Sequence, residues 1–117
     1  AIGVQTRVLF EAMAADGAAP PTALRVDGGL TRNAWAMQFL ADTLSIPVER
    51  PVITETTALG AAYLAGLQAG VYADTAEIGE NWERDMVFEP RMGEKERSAR
   101  YAGWQDAVAR TRTTTNE

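Results

Sequence analysis

A pair of adjacent glycines, Gly28 and Gly29, does most to restrict what this chain can fold into. An apolar run over residues 24–26 ends just before them, and a helical pattern begins just after them. Glycine lets the backbone pass close to another group and adopts positive φ angles at little cost. A strand, two glycines and the start of a helix, in that order, have two interpretations. They form a plain tight turn, or they form a turn in which the backbone amides at the start of the helix bind a phosphate or nucleotide. The stretch lacks a P-loop lysine and the third glycine of a dinucleotide fingerprint.

The composition excludes several kinds of chemistry. The 117 residues include no histidine and no cysteine, which rules out Ser-His and Cys-His nucleophile pairs and thiolate metal sites. A net charge of −5 gives no electrostatic basis for binding nucleic acid. No apolar run reaches the length of a transmembrane helix, and no signal-peptide pattern opens the chain. We expect no nucleic-acid partner, no membrane association and a cytoplasmic location.

The hydrophobic pattern predicts helices that alternate with short strands. Helices are predicted over residues 1–16, 32–44, 58–67 and 94–112, and strands over residues 24–26, 48–52 and 86–88. The polar segment 71–84 is predicted to be a helix end and a loop. This order indicates the α/β class, with a short, mostly parallel sheet and flanking helices. Because parallel sheets are normally flanked by further strands and covered on both faces, we expect the chain to be a piece of a larger protein.

Two helices allow more than one interpretation. Residues 58–67 carry no charge and are rich in glycine and alanine, which is typical of a tightly packed core helix. The same small residues suit a helix at a domain contact that slides or hinges, so both interpretations stay open. Trp35 and Phe39 lie four residues apart in the preceding helix, and we expect them to serve packing.

Three groups of motifs resemble glycerol kinases, which belong to the sugar kinases with the actin-like ATPase fold. The first group is similar to their adenosine motif, and it contains Leu24-Arg25-Val26-Asp27-Gly28-Gly29, Asn33 and Met37-Gln38-Phe39. The second contains Val48-Glu49-Arg50-Pro51 and Glu55-Thr56-Thr57-Ala58-Leu59-Gly60-Ala61-Ala62-Tyr63-Leu64-Ala65-Gly66. The third contains Trp82, Phe88, Pro90 and Tyr101-Ala102-Gly103-Trp104. The likeness extends from the first helix to about residue 110.

The resemblance implies part of an actin-like ATPase (ribonuclease H-like) domain. Residues 1–112 would form the C-terminal nucleotide-binding part of a polyol kinase domain, and residues 113–117 would be a flexible tail. Gly29 and Asn33 would contact the adenine and adenosine end of ATP, and Gly28 would let the backbone pass near the phosphates. Asp27 would either cap the turn or contact the ligand. Arg32 departs from the small or apolar residue expected there, and we expect it to face solvent rather than a phosphate.

The resemblance also implies that this chain holds only some of the functional residues of the intact enzyme, which would phosphorylate glycerol to glycerol 3-phosphate with ATP. Catalytic residues and Mg²⁺ ligands would lie in segments outside this chain, so the chain alone is predicted to be inactive. The helix over residues 57–66 would match the connection between domains, which supports the hinge interpretation. We also predict a homo-oligomer. Two alternatives remain: a kinase of another polyol or sugar, and a non-catalytic actin-fold interaction domain in which the glycines form only a turn.

Overall fold

The computed structural model describes residues 1–112. The helices are α1 (Ile2–Ala15), α2 (Ala34–Leu44), α3 (Thr56–Gln68), α4 (Thr75–Glu80) and α5 (Glu94–Thr111). The strands are β1 (Leu24–Arg25), β2 (Val48–Pro51) and β3 (Arg84–Phe88), and a 3₁₀ turn spans Gly29–Arg32. The α/β class is confirmed. The tail predicted over residues 113–117 lies outside the described residues.

The three strands form one sheet in the order β1-β2-β3. β1 pairs with β2 in parallel, as predicted, whereas β3 pairs with β2 in antiparallel orientation. The sheet is therefore mixed, and the expected mostly parallel arrangement holds only for its first pair. The chain enters β3 through the short helix α4, which the sequence interpretation took for a helix end and a loop. The connection from β2 to β3 contains both α3 and α4, so it is long enough for either orientation of β3.

The core lies between α2 and the sheet. Its buried members come from α2, β2 and β3: Met37, Leu40, Ala41, Val48 and Phe88. Val48 is fully buried at the centre of the sheet. The predicted apolar stripe of α2 accounts for this arrangement, since residues three and four apart share one face of a helix. The strand ends and the turn that follows β1 are thus held against a packed layer.

Helix α1 lies close against α2 because a glycine stands at the contact. A Cβ atom added to Gly3 would stand 3.0 Å from ring carbons of Phe39. Phe39 stacks on Trp35 with ring centroids 5.4 Å apart, yet Trp35 itself is 74% exposed. The packing prediction therefore holds for Phe39, whereas Trp35 stacks on Phe39 but leaves most of its own surface exposed within residues 1–112.

A buried carboxylate fixes the segment between β3 and α5. Asp42 of α2 accepts hydrogen bonds from the amides of Arg91 and Met92, at 2.6 and 3.1 Å, and from the Gln38 side chain. Burial raises the pKa of Asp42, but these hydrogen bonds and the charge of Arg91 outweigh burial and leave the pKa below its ordinary value. Arg97 of α5 donates to the Asp42 carbonyl oxygen at 2.7 Å. This network attaches α5 to α2.

Helix α3 is less buried than its composition predicts. None of its residues is buried among residues 1–112, and Leu64 is 69% exposed. The core-helix interpretation is therefore wrong for the described part of the chain. Its two central glycines differ: a Cβ atom at Gly60 would meet open space, whereas one at Gly66 would stand 2.8 Å from the Tyr72 ring. Only the C-terminal end of α3 uses a glycine for close packing here.

Candidate functional site

The site begins at a glycine that no other residue replaces easily. Gly28 has φ 83° and ψ 171°, a region of backbone conformation that essentially only glycine occupies. Its amide donates to the carbonyl oxygen of Thr54 at 2.9 Å. Its carbonyl oxygen accepts from the amide of Thr31 at 3.1 Å and from the Thr31 hydroxyl at 2.7 Å. Both polar groups of Gly28 are thus used inside the protein, so this glycine shapes the turn.

The inner side of the turn is anchored by an arginine that the sequence analysis did not single out. Thr31 is 1% exposed, and its carbonyl oxygen accepts from Arg50 Nη1 at 3.2 Å. The same guanidinium contacts Asp85 of β3, with 2.7 Å between Nη2 and Oδ2. An arginine in the middle of a short strand was the only signal in the sequence, and its partners become visible only once β3 is paired. Arg50 therefore ties the turn to the sheet.

The outer side of the turn faces open space. A Cβ atom added to Gly29 would have no protein atom within 4 Å. Within residues 1–112, the amides of Gly29 and Leu30 donate to no protein acceptor, and the Leu30 side chain is 44% exposed. A flat, partly polar ligand can approach this turn closely, because Gly29 has no side chain in the way. The free amides offer it hydrogen bonds, and Leu30 offers it apolar surface.

Asn33 has a structural role that its sequence interpretation did not include. Its side-chain oxygen accepts from the amide of Ala36 at 3.1 Å, so it caps the N-terminus of α2. The sequence analysis predicted that the helix begins at Arg32, but the chain forms a 3₁₀ turn first and α2 begins after Asn33. The side chain of Asn33 is exposed, and its Nδ2 group keeps its two protons for another acceptor. Gly29 and Asn33 stand at opposite ends of the same short turn.

Asp27 connects the turn to helix α3. Its carboxylate accepts from the Thr56 hydroxyl, in the first residue of α3. The hydrogen bond from the Gly28 amide to Thr54 joins the same two segments. Of the two roles considered for Asp27, no capping of the 3₁₀ turn is seen, because no side chain caps its start. The start of α3 is thus fixed to the turn at two points.

A separate recess of about 570 Å³ lies between the end of β2 and helices α3 and α4. Its walls include Tyr63 and Trp82, and the guanidinium of Arg25 lies 3.9 Å from the centroid of the Trp82 ring. None of the residues predicted to contact a nucleotide lines this recess. Residues 1–112 contain no group of three or more acidic, histidine or cysteine side chains placed to hold a metal ion. Within the same range, every helix is too short or too polar to cross a membrane.

Comparison with known proteins gives a consistent result. Residues 1–69 match the C-terminal domain of the FGGY family of carbohydrate kinases. Glycerol kinase from Ectopseudomonas mendocina is 62% identical over 109 residues, which are 93% of this chain and 22% of that protein. The chain thus spans about a fifth of the length of the curated relatives that it matches.

Solved structures show the same fold. The crystal structure of Plasmodium falciparum glycerol kinase with ADP matches with a TM-score of 0.76 and 33% identity, over 97% of this chain and 23% of that one. The ligand-bound xylulose kinase from Lactobacillus acidophilus matches with a TM-score of 0.64 at 24% identity, over 81% of this chain and 20% of that one. These neighbours have the actin-like ATPase fold. Because the family match covers more than half of its residues, the chain belongs to the FGGY family of carbohydrate kinases.

Proposed function

We propose that residues 1–112 are the C-terminal, adenosine-binding part of a glycerol kinase. The intact enzyme would transfer the γ-phosphate of ATP to glycerol and release glycerol 3-phosphate. The observation that carries this proposal is the match to a glycerol kinase solved with ADP, which extends over 97% of the chain with a TM-score of 0.76. The open turn at Gly29 supports it, since a bound nucleotide needs space and unpaired donors there.

Each residue of the turn has a separate task in this proposal. Gly28 sets the path of the backbone, and its own polar groups take no part in binding. Gly29 lets the adenosine approach the backbone, because no side chain occupies that space. Asn33 offers its Nδ2 protons to an acceptor on the adenosine while its oxygen continues to cap α2. Thr31 and Arg50 keep the turn in place from the inner side.

The chain supplies binding and positioning rather than chemistry. Phosphoryl transfer depends on charge stabilisation around the γ-phosphate, commonly with Mg²⁺. No acidic cluster in residues 1–112 fits a metal ion, so we propose that Mg²⁺ and the catalytic residues are held by other parts of the kinase. The chain alone is expected to phosphorylate no glycerol. We also propose the cytoplasm, where ATP is plentiful, as its location.

A chimeric enzyme tests the proposal directly. The chain replaces the matching segment of Ectopseudomonas mendocina glycerol kinase, to which it is 62% identical. We expect the chimera to phosphorylate glycerol with ATP and the isolated chain to show no activity. A folded chimera that neither binds ADP nor phosphorylates glycerol would refute the proposal. A chimera that prefers another polyol or sugar would instead favour a related kinase.

A second experiment asks whether the turn is already formed in the chain alone. Mg-ATP is titrated into the ¹⁵N-labelled chain, and backbone amide shifts are followed by NMR. We expect the shifts to centre on Gly28, Gly29 and Asn33. Shifts centred on Tyr63 and Trp82 would place the nucleotide in the separate recess and contradict the assignment of the turn.

Self-association is a further part of the proposal. Several large apolar side chains are more than half exposed in residues 1–112, among them Ile2, Leu9, Trp35, Leu64 and Val71. Apolar surface of this kind favours contact with another protein surface. We propose that the chain forms a homo-oligomer, and light scattering at increasing concentration tests it. A monomer mass throughout the series would contradict this part.

A further inference from the structure

We propose that the guanidinium of Arg32 packs against the adenine base and so contributes to nucleotide affinity. This inference rests on the proposed function, because it requires adenosine at the turn. Arg32 is the last residue of the 3₁₀ turn that begins at Gly29. Side chains three residues apart eclipse each other in a 3₁₀ helix. Arg32 therefore shares a face with Gly29, the residue with open space beside it.

Within residues 1–112, no other group engages the guanidinium of Arg32. The Arg32 side chain is exposed, and among residues 1–112 it forms no ion pair and no side-chain hydrogen bond. The arginines of the neighbouring strands differ in this respect. Arg25 and Arg84 both contact Glu49, and Arg50 contacts Asp85. In a chain with a net charge of −5, an arginine that contacts no carboxylate remains free to contact a ligand.

The backbone that carries Arg32 is held in place. Thr31, the residue before it, is buried and bonded to Gly28 and to Arg50. Asn33, the residue after it, caps α2. Since both neighbours are fixed, the Arg32 side chain starts from a defined position on the outer side of the turn. Little backbone entropy would be lost when it orders against a ligand.

The base is a better partner for Arg32 than the phosphates. A guanidinium is planar and can stack flat on an aromatic face, whereas an ammonium group offers only its charge. Gly29 and Asn33 flank Arg32 along the turn, and both are assigned to the adenosine end of the nucleotide in the proposed function. A base that lies over the open side of Gly29 would present its face to Arg32 and its polar edge to Asn33. The exposed Leu30 side chain adds apolar surface beside it.

The test uses the chimeric kinase with Arg32→Ala, Arg32→Lys and a control, Lys95→Ala on α5. Lys95 is also exposed and unpaired among residues 1–112, so the control removes the same charge away from the turn. We expect Arg32→Ala to raise the Kd of adenosine and of ADP by the same factor, about three- to tenfold. The KM for ATP should rise similarly with little change in kcat, because the contact is equal in ground and transition states.

The variants separate stacking from simple charge attraction. Arg32→Lys keeps the charge and should lose most of the affinity that Arg32 contributes, while Lys95→Ala should behave as the unmodified chimera does. A loss confined to ADP, or full rescue by lysine, would mean a phosphate contact and would overturn the inference. Unchanged affinity in Arg32→Ala would show a solvated side chain and would overturn it too. If the unmodified chimera bound no ADP, the proposed function itself would fail, and Arg32 would have no base to contact.

Discussion

Replacing Gly28 and Gly29 with alanine, one at a time, should distinguish the glycine that the backbone conformation requires from the glycine that leaves space for the ligand. The φ of 83° at Gly28 strains any residue with a Cβ atom, and this conformation costs about 1–3 kcal/mol. The free energy of unfolding of Gly28→Ala should fall by about that amount, because all of the strain is present in the folded state. Gly29 has no positive φ, and its added Cβ atom would meet no protein atom within 4 Å. Gly29→Ala should therefore fold as well as the unmodified chain.

Thermal unfolding, followed by circular dichroism, measures the effect of each substitution on stability. A domain of this size loses about 4 °C in Tm for each kcal/mol, so Gly28→Ala should unfold roughly 4–12 °C lower. Gly29→Ala should leave Tm within about 2 °C of the starting value. An unchanged Tm in Gly28→Ala would refute the argument from backbone strain. An equal loss in both variants would show that the space beside Gly29 is filled in solution.

The same variants in the chimeric kinase measure the effect of each glycine on nucleotide binding. Gly29→Ala puts a methyl group where the adenosine is proposed to lie, so the KM for ATP should rise by about tenfold or more while the fold is kept. Gly28→Ala should lose activity only to the extent that it loses stability, and cooling the assay should recover part of it. A Gly29→Ala chimera with unchanged KM would contradict the assignment of this glycine to adenosine.

Other parts of the site give further expectations. Arg50→Met should lower the free energy of unfolding by about 1–2 kcal/mol in urea titrations, since it removes an ion pair and a hydrogen bond to the turn. Gly60→Ala should raise the stability of the chain by up to about 1 kcal/mol, whereas Gly66→Ala should lower it through overpacking; a calorimetric Tm for each checks the signs. Asp42→Ala should cost about 2 kcal/mol at neutral pH. Because the folded pKa of Asp42 is lowered, its contribution is complete above pH 3.8 and is lost as the pH falls further, so urea titrations should show the gap between this variant and the parent chain closing in acid.

The sequence was sufficient to predict the main elements of the fold. Regular apolar spacing in α2 specified both the helix and its buried face, which carries Met37 and Leu40. The turn signal at Gly28 was also readable, because a left-handed or extended positive φ conformation admits little else. In these places a local pattern decided the structure, and no long-range contact opposed it.

Long-range contacts decided what the sequence left open. The orientation of β3 depends on pairing with β2, which no local pattern encodes. The role of Arg50 depends on Thr31 and Asp85, which lie 19 and 35 residues away along the chain. Asn33 was interpreted only as a ligand contact, although Asn at a helix start is a common cap. The composition of α3 indicated burial, but none of its residues is buried among residues 1–112.

The contacts around Asp27 link the proposed ligand-binding turn to helix α3. The turn is fixed to the start of α3 by the pair Asp27–Thr56 and by the hydrogen bond from Gly28 to Thr54. A ligand that orders the turn would therefore also hold the first residues of α3, while the rest of that helix remains exposed. A core helix would be fixed along its whole length, whereas a hinge helix needs one held end and one free face. Residues 1–112 show the second arrangement, which agrees with the hinge interpretation of this helix.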